Sequence, residues 1–226
     1  MSDALDQLER TGLLAVLRGD DPEAVVDGAL VLVGAGVEVL EVTFTVPDAP
    51  QAIAALRDRA PAGTLIGAGT VTTPAEVQAA TEAGASFLVS PGVTPSLLDS
   101  LRGTGIPFIP GVMTPSDVLL ALEAGAEAVK LFPGALAGPS ALRALRGPFP
   151  GLRVVPTGGV TLDTIGHWFA AGAIAVGAGS ELAPPTAIAR RDAEVLRALG
   201  NRWRDAVTAT RSQRRPEGTS KISLKR

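Results

Sequence analysis

The sequence predicts an α/β fold, a (β/α)8 TIM barrel in a single domain over residues 1–210, followed by a basic C-terminal tail over residues 211–226. Three observations predict this fold. Helical stretches repeatedly end at a glycine that is followed by an apolar run. Threonine–proline pairs repeatedly precede the next helical stretch. Apolar runs of strand length therefore alternate with helices along the chain, as in βα units that build a parallel sheet.

The glycines of the recurring unit predict where helices end. Each would lie just past a helix, where a left-handed backbone conformation is needed. The four segments are GAGVEVLEVTF (34–44), EAGASFLVS (82–90), EAGAEAVKLF (123–132) and AAGAIAVGAG (171–179), with Gly36, Gly84, Gly125 and Gly172 at the junctions. The threonine–proline pairs predict helix starts, because threonine caps a helix and proline suits its first turn. They are Thr73-Pro74, Thr94-Pro95 and Thr114-Pro115.

Eight strands are expected: Leu13–Leu17, Val39–Thr43, Leu65–Gly67, Phe87–Ser90, Phe108–Ile109, Val129–Phe132, Val154–Pro156 and Ala175–Gly177. Most are continuous apolar runs, which is typical of parallel strands buried on both faces. A long amphipathic helix is expected over about 186–209. An open doubly wound sheet is the alternative. It is disfavoured because no G-x-G-x-x-G follows the first strand, and GAGT (67–70) and GAGS (177–180) lack the third glycine.

Composition narrows the class of protein. The chain has no cysteine and one histidine, which excludes a cysteine-ligated or multi-histidine metal site within one chain. No metal and no cofactor are expected. No apolar run reaches the roughly 18 residues needed to span a membrane, and the acidic N-terminus does not resemble a secretory signal. We therefore expect a cytoplasmic protein that binds no membrane. The basic tail carries no interleaved aromatic residues, so it is interpreted as a solvated terminus and no nucleic-acid partner is expected.

Polar residues collect where the predicted strands end. In a barrel, chemistry is found at the C-terminal ends of the strands. The candidate residues there, in chain order, are Arg18, Glu41, Thr45, Thr70, Pro91, Lys130, Thr157, Gly158, Gly159, Gly179 and Ser180. Thr43 is given no role beyond its strand, and His167 is interpreted as a helix-face or packing residue without a catalytic role.

Lys130 is the most informative of these residues. The chain contains three lysines, and the other two, Lys221 and Lys225, lie in the last six residues. Arginine keeps its proton in proteins, whereas a desolvated lysine can lose it and become a nucleophile. A lysine paired with a buried carboxylate is the alternative, and its partner would be Glu41. A carboxylate near the amine could also move protons, so both interpretations need Glu41.

Two loops predict an anion site. Gly158-Gly159 and Gly179-Ser180 follow the last two strands, where barrels commonly bind phosphate through backbone N–H groups. Arg18, after the first strand, is a candidate for holding a substrate carboxylate by two parallel hydrogen bonds.

At these residues the chain resembles the family of 2-keto-3-deoxy-6-phosphogluconate (KDPG) and 4-hydroxy-2-oxoglutarate (KHG) aldolases. The matching segments are LLAVLRGDD, VLEVTFTVPDA, IGAGTVTTPAEVQAATEAGASFLVSPG, IPGVMTPSDVLLALEAGAEAVKLFPG and GPFPGLRVVPTGGVTLD. The resemblance implies a (β/α)8 homotrimer that cleaves a 2-keto-4-hydroxy acid into pyruvate and an aldehyde without a metal. The aldehyde would be glyceraldehyde 3-phosphate from KDPG, or glyoxylate from 4-hydroxy-2-oxoglutarate.

The resemblance also implies roles for individual residues. Lys130 would form a Schiff base and Glu41 would act as general acid and base. Thr70 and Pro91 would line the pyruvate site, Phe132 would pack over it, and Gly158, Gly159 and Ser180 would hold the phosphate. Many members have E-V-T-L-R-T, with an arginine for the carboxylate, where this chain has Glu41-Val42-Thr43-Phe44-Thr45. Other members combine E-[IV]-T-F-T with an arginine after the first strand, so the resemblance assigns the carboxylate to Arg18 and Thr70.

Two other functions stay open from the sequence. One is a phosphate-binding isomerase or epimerase that uses Glu41 as base, and the other is a barrel that binds a sugar phosphate without turnover. Within the aldolase hypothesis, the sequence does not separate the gluconate-derived substrate from its galactonate epimer or from 4-hydroxy-2-oxoglutarate.

Overall fold

The computed structural model describes residues 3–213. Its strands are β1 (Leu13–Leu17), β2 (Val39–Thr43), β3 (Leu65–Gly69), β4 (Leu88–Val89), β5 (Phe108–Ile109), β6 (Gly111–Val112), β7 (Val129–Leu131), β8 (Val154–Pro156) and β9 (Val176–Ala178). Its helices are α1 (Asp3–Thr11), α2 (Pro22–Gly34), α3 (Ala49–Arg59), α4 (Pro74–Glu82), α5 (Pro95–Gly103), α6 (Pro115–Glu123), α7 (Gly134–Arg146), α8 (Ile165–Ala171), α9 (Pro185–Ala189) and α10 (Ala193–Ser212). The predicted tail lies outside the described residues from residue 214 onward. No helix within residues 3–213 is both long and apolar enough to cross a membrane.

All strand pairs are parallel and fall into two sheets. Six strands follow the order β5-β4-β3-β2-β1-β9, and three follow the order β6-β7-β8. Only Pro110 separates β5 from β6, and its carbonyl accepts a hydrogen bond of 2.9 Å from the N–H of Lys130. A proline has no N–H to donate, so one strand is divided there. The predicted α/β fold with parallel strands is confirmed.

The predicted helix boundaries are confirmed both at the threonine–proline helix starts and at the glycines that end helices. Thr73, Thr94 and Thr114 each cap a helix, accepting a hydrogen bond from the N–H three residues on. The glycines predicted to end helices all have positive φ, namely Gly36 (87°), Gly84 (76°), Gly125 (90°) and Gly172 (101°). These junctions are local, so the sequence alone was sufficient to place them.

Arginines pack over three of these glycines. A Cβ at Gly36, Gly84 or Gly172 would meet the side chain of Arg204, Arg57 or Arg146 respectively. Each guanidinium also donates to a carbonyl at that turn: Arg204 to Ala35 (2.7 Å), Arg57 to Ala83 (3.5 Å) and Arg146 to Gly172 (3.4 Å). A planar guanidinium with several donors can pack over the glycine and at the same time donate to a carbonyl at the helix end, which a lysine ammonium does less well. This accounts structurally for three of the arginines that outnumber lysine so heavily.

The hydrophobic core consists of two clusters on opposite faces of the strands. The larger cluster fills the space between strands and helices. The smaller one contains side chains from the other strand face, including Val16, Val39 and Val155, together with Leu5 and Leu8 of α1. Successive side chains alternate between faces of a strand. Glu41, two residues after Val39, therefore lies on the face of the smaller cluster.

Several predicted boundaries were wrong. The third strand runs to Gly69 because Thr43 pairs with it, and the fourth is only Leu88–Val89. The predicted strand Val129–Phe132, which is β7, ends at Leu131, and the last predicted strand is shifted to Val176–Ala178. The long helix expected over 186–209 is divided into α9 and α10, because Arg191 has a positive φ of 52° and Asp192 caps a new helix. Helix α1 was missed, although Leu5 and Leu8 have the spacing of a buried helix face.

Candidate active site

Lys130 and Glu41 meet in the interior. Lys130 lies on β7 and Glu41 on β2, and Lys130 Nζ is 3.4 Å from Glu41 Oε1. Glu41 is fully buried and Lys130 is 2% exposed. The pairing predicted from the sequence is therefore present. A buried amine beside a buried carboxylate can exchange protons with it when a substrate arrives.

Gly69 makes room for the Glu41 carboxylate. It is the last residue of β3 and pairs with Thr43 across the sheet. A Cβ at this position would overlap Oε1, Cδ and Cγ of Glu41. The other carboxylate oxygen, Oε2, is buried and has no hydrogen-bond partner within residues 3–213. Buried carboxylate oxygens are ordinarily hydrogen-bonded, so this free oxygen is a candidate contact for a ligand or a proton.

Phe132 closes one side of the amine. Its ring centroid is 5.3 Å from Lys130 Nζ, and Phe132 directly follows the last residue of β7. A Cβ at Gly158 would come within 3.0 Å of the Phe132 ring, so the ring packs against that glycine. Phe132 thus connects the lysine to the loop that follows β8.

Arg18 lies at the edge of the site and is anchored to it. It is exposed and directly follows β1. Its Nη1 donates to Thr45 Oγ1 (3.2 Å), and Thr45 Oγ1 is 2.7 Å from Thr43 Oγ1. Among residues 3–213, no carboxylate forms an ion pair with Arg18. Its guanidinium is therefore free for an external anion.

Thr70 and Pro91 come from neighbouring loops of the same end. Thr70 follows β3 directly and has a positive φ of 54°, which is uncommon for a β-branched residue and often marks a functional constraint. Pro91 follows β4, and its backbone approaches Gly111 so closely that a Cβ there would overlap it. Both residues are half-buried. The loop carrying Pro91 is held by Ser90, whose Oγ donates to the Gly92 carbonyl (2.7 Å).

The loops after β8 and β9 leave backbone donors unused. The carbonyls of Thr157 and Gly158 accept hydrogen bonds of 2.7 Å from the N–H groups of Gly134 and Ala135 at the start of α7. No residue in the described range accepts a hydrogen bond from the N–H of Gly159 or of Ser180. Those two residues are exposed, with Gly179 beside Ser180 half-buried. Free N–H groups in two adjoining loops can bind an anion.

Sequence reasoning missed three residues that shape this site. Gly69 supplies the space for Glu41, and the only signal was a glycine at a strand end. Ser90 is fully buried, and its Oγ also accepts from the N–H of Gly111 (3.4 Å). Thr43 is fully buried and was given no role. A small polar residue inside an apolar run was the available signal for both. No group of three or more His, Cys, Asp or Glu side chains able to hold a metal occurs in the part of the chain that the structure describes.

Comparison with known proteins identifies relatives along most of the chain. The 2-dehydro-3-deoxy-phosphogluconate aldolase of Treponema pallidum is 38% identical over 195 residues, covering 86% of this chain and 92% of the relative. The 2-dehydro-3-deoxy-6-phosphogalactonate aldolase of Escherichia coli is 33% identical over 196 residues, covering 86% and 96%. The structure of KDPG aldolase from Legionella pneumophila, with pyruvate captured as a covalent carbinolamine intermediate, superimposes with a TM-score of 0.82 at 32% identity. That alignment covers 88% of this chain and 97% of the other.

The family model described as KDPG and KHG aldolase matches residues 5–199, which include every candidate residue of the site. The chain therefore belongs to the KDPG and KHG aldolase family.

Proposed function

We propose that this protein is a class I aldolase, a carbon–carbon lyase that cleaves 2-dehydro-3-deoxy-6-phosphogluconate to pyruvate and glyceraldehyde 3-phosphate through a Schiff base on Lys130. One observation carries the proposal: a buried lysine amine lies 3.4 Å from a buried carboxylate. Relatives named as aldolases of this substrate support it.

Imine formation is the first step. The free amine of Lys130 attacks the C2 carbonyl of the substrate, forming a carbinolamine. Glu41, which takes the proton that the Lys130 ammonium gives up on becoming the free amine, donates it to the carbinolamine hydroxyl. The hydroxyl leaves as water and the C=N bond forms. Glu41 is the hydrogen-bond partner of Lys130 Nζ, at 3.4 Å, so we assign the proton transfer to this carboxylate. The unpartnered Oε2 of Glu41 is free to contact the hydroxyl.

Cleavage follows from the positive charge of the imine. A base removes the proton of the C4 hydroxyl, the C3–C4 bond breaks, and its electron pair moves to the iminium nitrogen, giving an enamine. The aldehyde leaves, the enamine takes a proton at C3, and water releases pyruvate from Lys130. Glu41 is the group placed to hold and return these protons.

The remaining residues bind the two ends of the substrate. Arg18, with Thr45 and Thr70, holds the carboxylate, while Pro91 and Phe132 line the pyruvate site. The phosphate is bound by the loops after β8 and β9. Those loops contain Thr157, Gly158, Gly159, Gly179 and Ser180, and the free N–H groups of Gly159 and Ser180 support this assignment.

We further infer that the two sheets join into one eight-stranded (β/α)8 barrel. Continuity of β5 with β6 through Pro110 supports the join on one side. A parallel bridge between Thr157 and Gly177, and a hydrogen bond of 3.0 Å from Ile174 N–H to the Val154 carbonyl, support it on the other.

A homotrimer is the assembly that we propose. Helix α6 exposes three leucines, Leu119 (58%), Leu120 (39%) and Leu122 (42%), and such apolar patches commonly mark protein contacts. A structural neighbour with a TM-score of 0.83 and 30% identity is a cage designed by fusing symmetric oligomeric domains, and this agrees with self-association. Light scattering of Leu119→Arg beside the wild type tests the assignment of this surface. The cytoplasmic location stays a prediction.

The galactonate epimer, 2-dehydro-3-deoxy-6-phosphogalactonate, is the second candidate substrate. Relatives named for that activity are 37% and 33% identical to this chain, close to the 38% of the gluconate-named relative. The two substrates differ at one stereocentre, so the same lysine chemistry serves both.

Borohydride trapping tests the mechanism. Incubation with pyruvate and borohydride should leave a stable adduct on Lys130, and Lys130→Arg should fold, gain no adduct and lose cleavage. Turnover by a pure, folded Lys130→Arg variant would refute the Schiff base, and a wild type without adduct would favour an isomerase or epimerase. Pyruvate release from the two phosphorylated epimers and from 4-hydroxy-2-oxoglutarate then ranks the substrates.

A further inference from the structure

Thr43 connects the backbone of β1 to the candidate carboxylate-binding group. It is fully buried on β2, two residues after Glu41 and on the same strand face. Its Oγ1 donates to the carbonyl of Leu17 (2.9 Å) and lies 2.7 Å from Thr45 Oγ1. Leu17 is the last residue of β1 and immediately precedes Arg18, so the chain of contacts starts and ends at neighbouring residues.

The direction of each hydrogen bond follows from counting protons. A threonine hydroxyl has one proton to donate and two lone pairs that accept. The Leu17 carbonyl only accepts, so the Thr43 proton is used there. Thr45 must then donate its own proton to Thr43. A lone pair of Thr45 Oγ1 therefore accepts from Arg18 Nη1, at 3.2 Å.

This order has a consequence for Arg18. An exposed arginine side chain has many rotamers, and fixing one has an entropic cost of up to about 2 kcal/mol. Thr45 can hold the guanidinium only while its lone pair is directed at Arg18, and Thr43 sets that direction. The other N–H groups of Arg18 stay free, since among residues 3–213 Thr45 is its one hydrogen-bond partner.

We propose that Thr43 is a positioning residue that orients Arg18, through Thr45, to bind the carboxylate of the keto acid. This inference rests on the proposed function. Within residues 3–213 the Thr43 hydroxyl is bonded to Leu17 and Thr45 and not to Lys130. It would therefore act by reducing the conformational freedom of Arg18 before the substrate binds. The loss should therefore be seen in KM for pyruvate and in little else.

Thr43→Val tests the proposal, because valine has nearly the same shape and no hydroxyl. We expect KM for pyruvate in the condensation direction to rise about three- to tenfold, the range that a neutral hydrogen bond supports, with kcat nearly unchanged. Thr43→Ser should restore the wild-type KM. Thr81→Val is the matched control, since Thr81 also donates to a carbonyl (Val77, 2.7 Å) but has no connection to Arg18.

A double variant separates positioning from general support of β2. In an Arg18→Ala background, Thr43→Val should raise KM no further. An additional rise there, or no rescue by serine, would overturn the proposal. If Thr43→Val does not fold, Thr45→Val breaks the same chain at an exposed residue and must raise KM by a similar factor.

Failure of this inference can be told apart from failure of the proposed function. If the wild type forms the borohydride adduct at Lys130 but KM for pyruvate is unchanged in both threonine variants, only the role of Thr43 is refuted. A wild type that forms no adduct refutes the aldolase mechanism and, with it, this inference.

Discussion

Gly69→Ala should disable the active site by adding one methyl group. The built Cβ falls well inside van der Waals contact with Glu41 Oε1, Cδ and Cγ. Glu41 is 0% exposed, so its carboxylate has no solvent-filled space into which to move. The backbone at Gly69 is not left-handed, so alanine causes no backbone strain. The steric effect therefore acts on the carboxylate itself.

The magnitude follows from the contact that is lost. Lys130 Nζ and Glu41 Oε1 are 3.4 Å apart, and displacing the carboxylate breaks this hydrogen bond. Correctly placed acid–base groups contribute about 10²- to 10⁴-fold to rate, so kcat should fall toward that of Glu41→Gln. Overpacking costs typically about 1–3 kcal/mol of stability, which a domain of this size can tolerate.

Steady-state pyruvate release measures kcat, and thermal unfolding confirms that each variant is folded. Gly166→Ala on α8 is the control, because a Cβ there has no heavy atom within 4 Å. It should leave kcat unchanged. The double variant Gly69→Ala/Glu41→Gln should be no slower than Glu41→Gln alone. Wild-type kcat in folded Gly69→Ala would refute the claim that this glycine sets the position of Glu41.

Two further predictions concern the phosphate loops and the stability of α6. Ser180→Asp adds a negative charge at an exposed residue. It should lower kcat/KM for the phosphorylated substrate at least about tenfold by charge repulsion. The kcat/KM of the same variant for 4-hydroxy-2-oxoglutarate should change little, and so should the kcat/KM of the neutral Ser180→Asn variant for the phosphorylated substrate. Equal losses on both substrates would contradict the phosphate assignment. Asp117 lies in the first turn of α6, and its carboxylate accepts from the N–H groups that precede the helix. Burial acts to raise its pKa, but these hydrogen bonds from the N–H groups of Met113 and Thr114 hold the pKa below 3.8. Asp117→Asn should therefore lower the free energy of unfolding in urea by about 0.5–1 kcal/mol at neutral pH. A depressed carboxyl pKa contributes stability above the unfolded value, and this difference should disappear as the pH falls below about 3.8 through the folded pKa. A difference that is independent of pH would contradict the electrostatic explanation.

The sequence located the helix junctions because the signals there are local. A threonine before a proline, or a glycine after a helix, satisfies backbone groups within a few residues. The strand ends were placed less well. Their limits depend on partner strands, as at Gly69, which is in β3 because it pairs with Thr43 on β2.

The sequence by itself determined that Lys130 is an unusual amine in an apolar strand and that Glu41 is its partner. The contact between them spans 89 residues of chain, and it was anticipated because polar residues collect at the C-terminal ends of the predicted barrel strands. Only the tertiary structure decided what surrounds the pair. That Gly69 makes room for Glu41, and that Thr43 directs Thr45 toward Arg18, follow from distances between strands that pair in space. Such contacts leave no periodic pattern in the chain, because the side-chain size that a strand position accepts depends on the residues that pack against it from neighbouring strands.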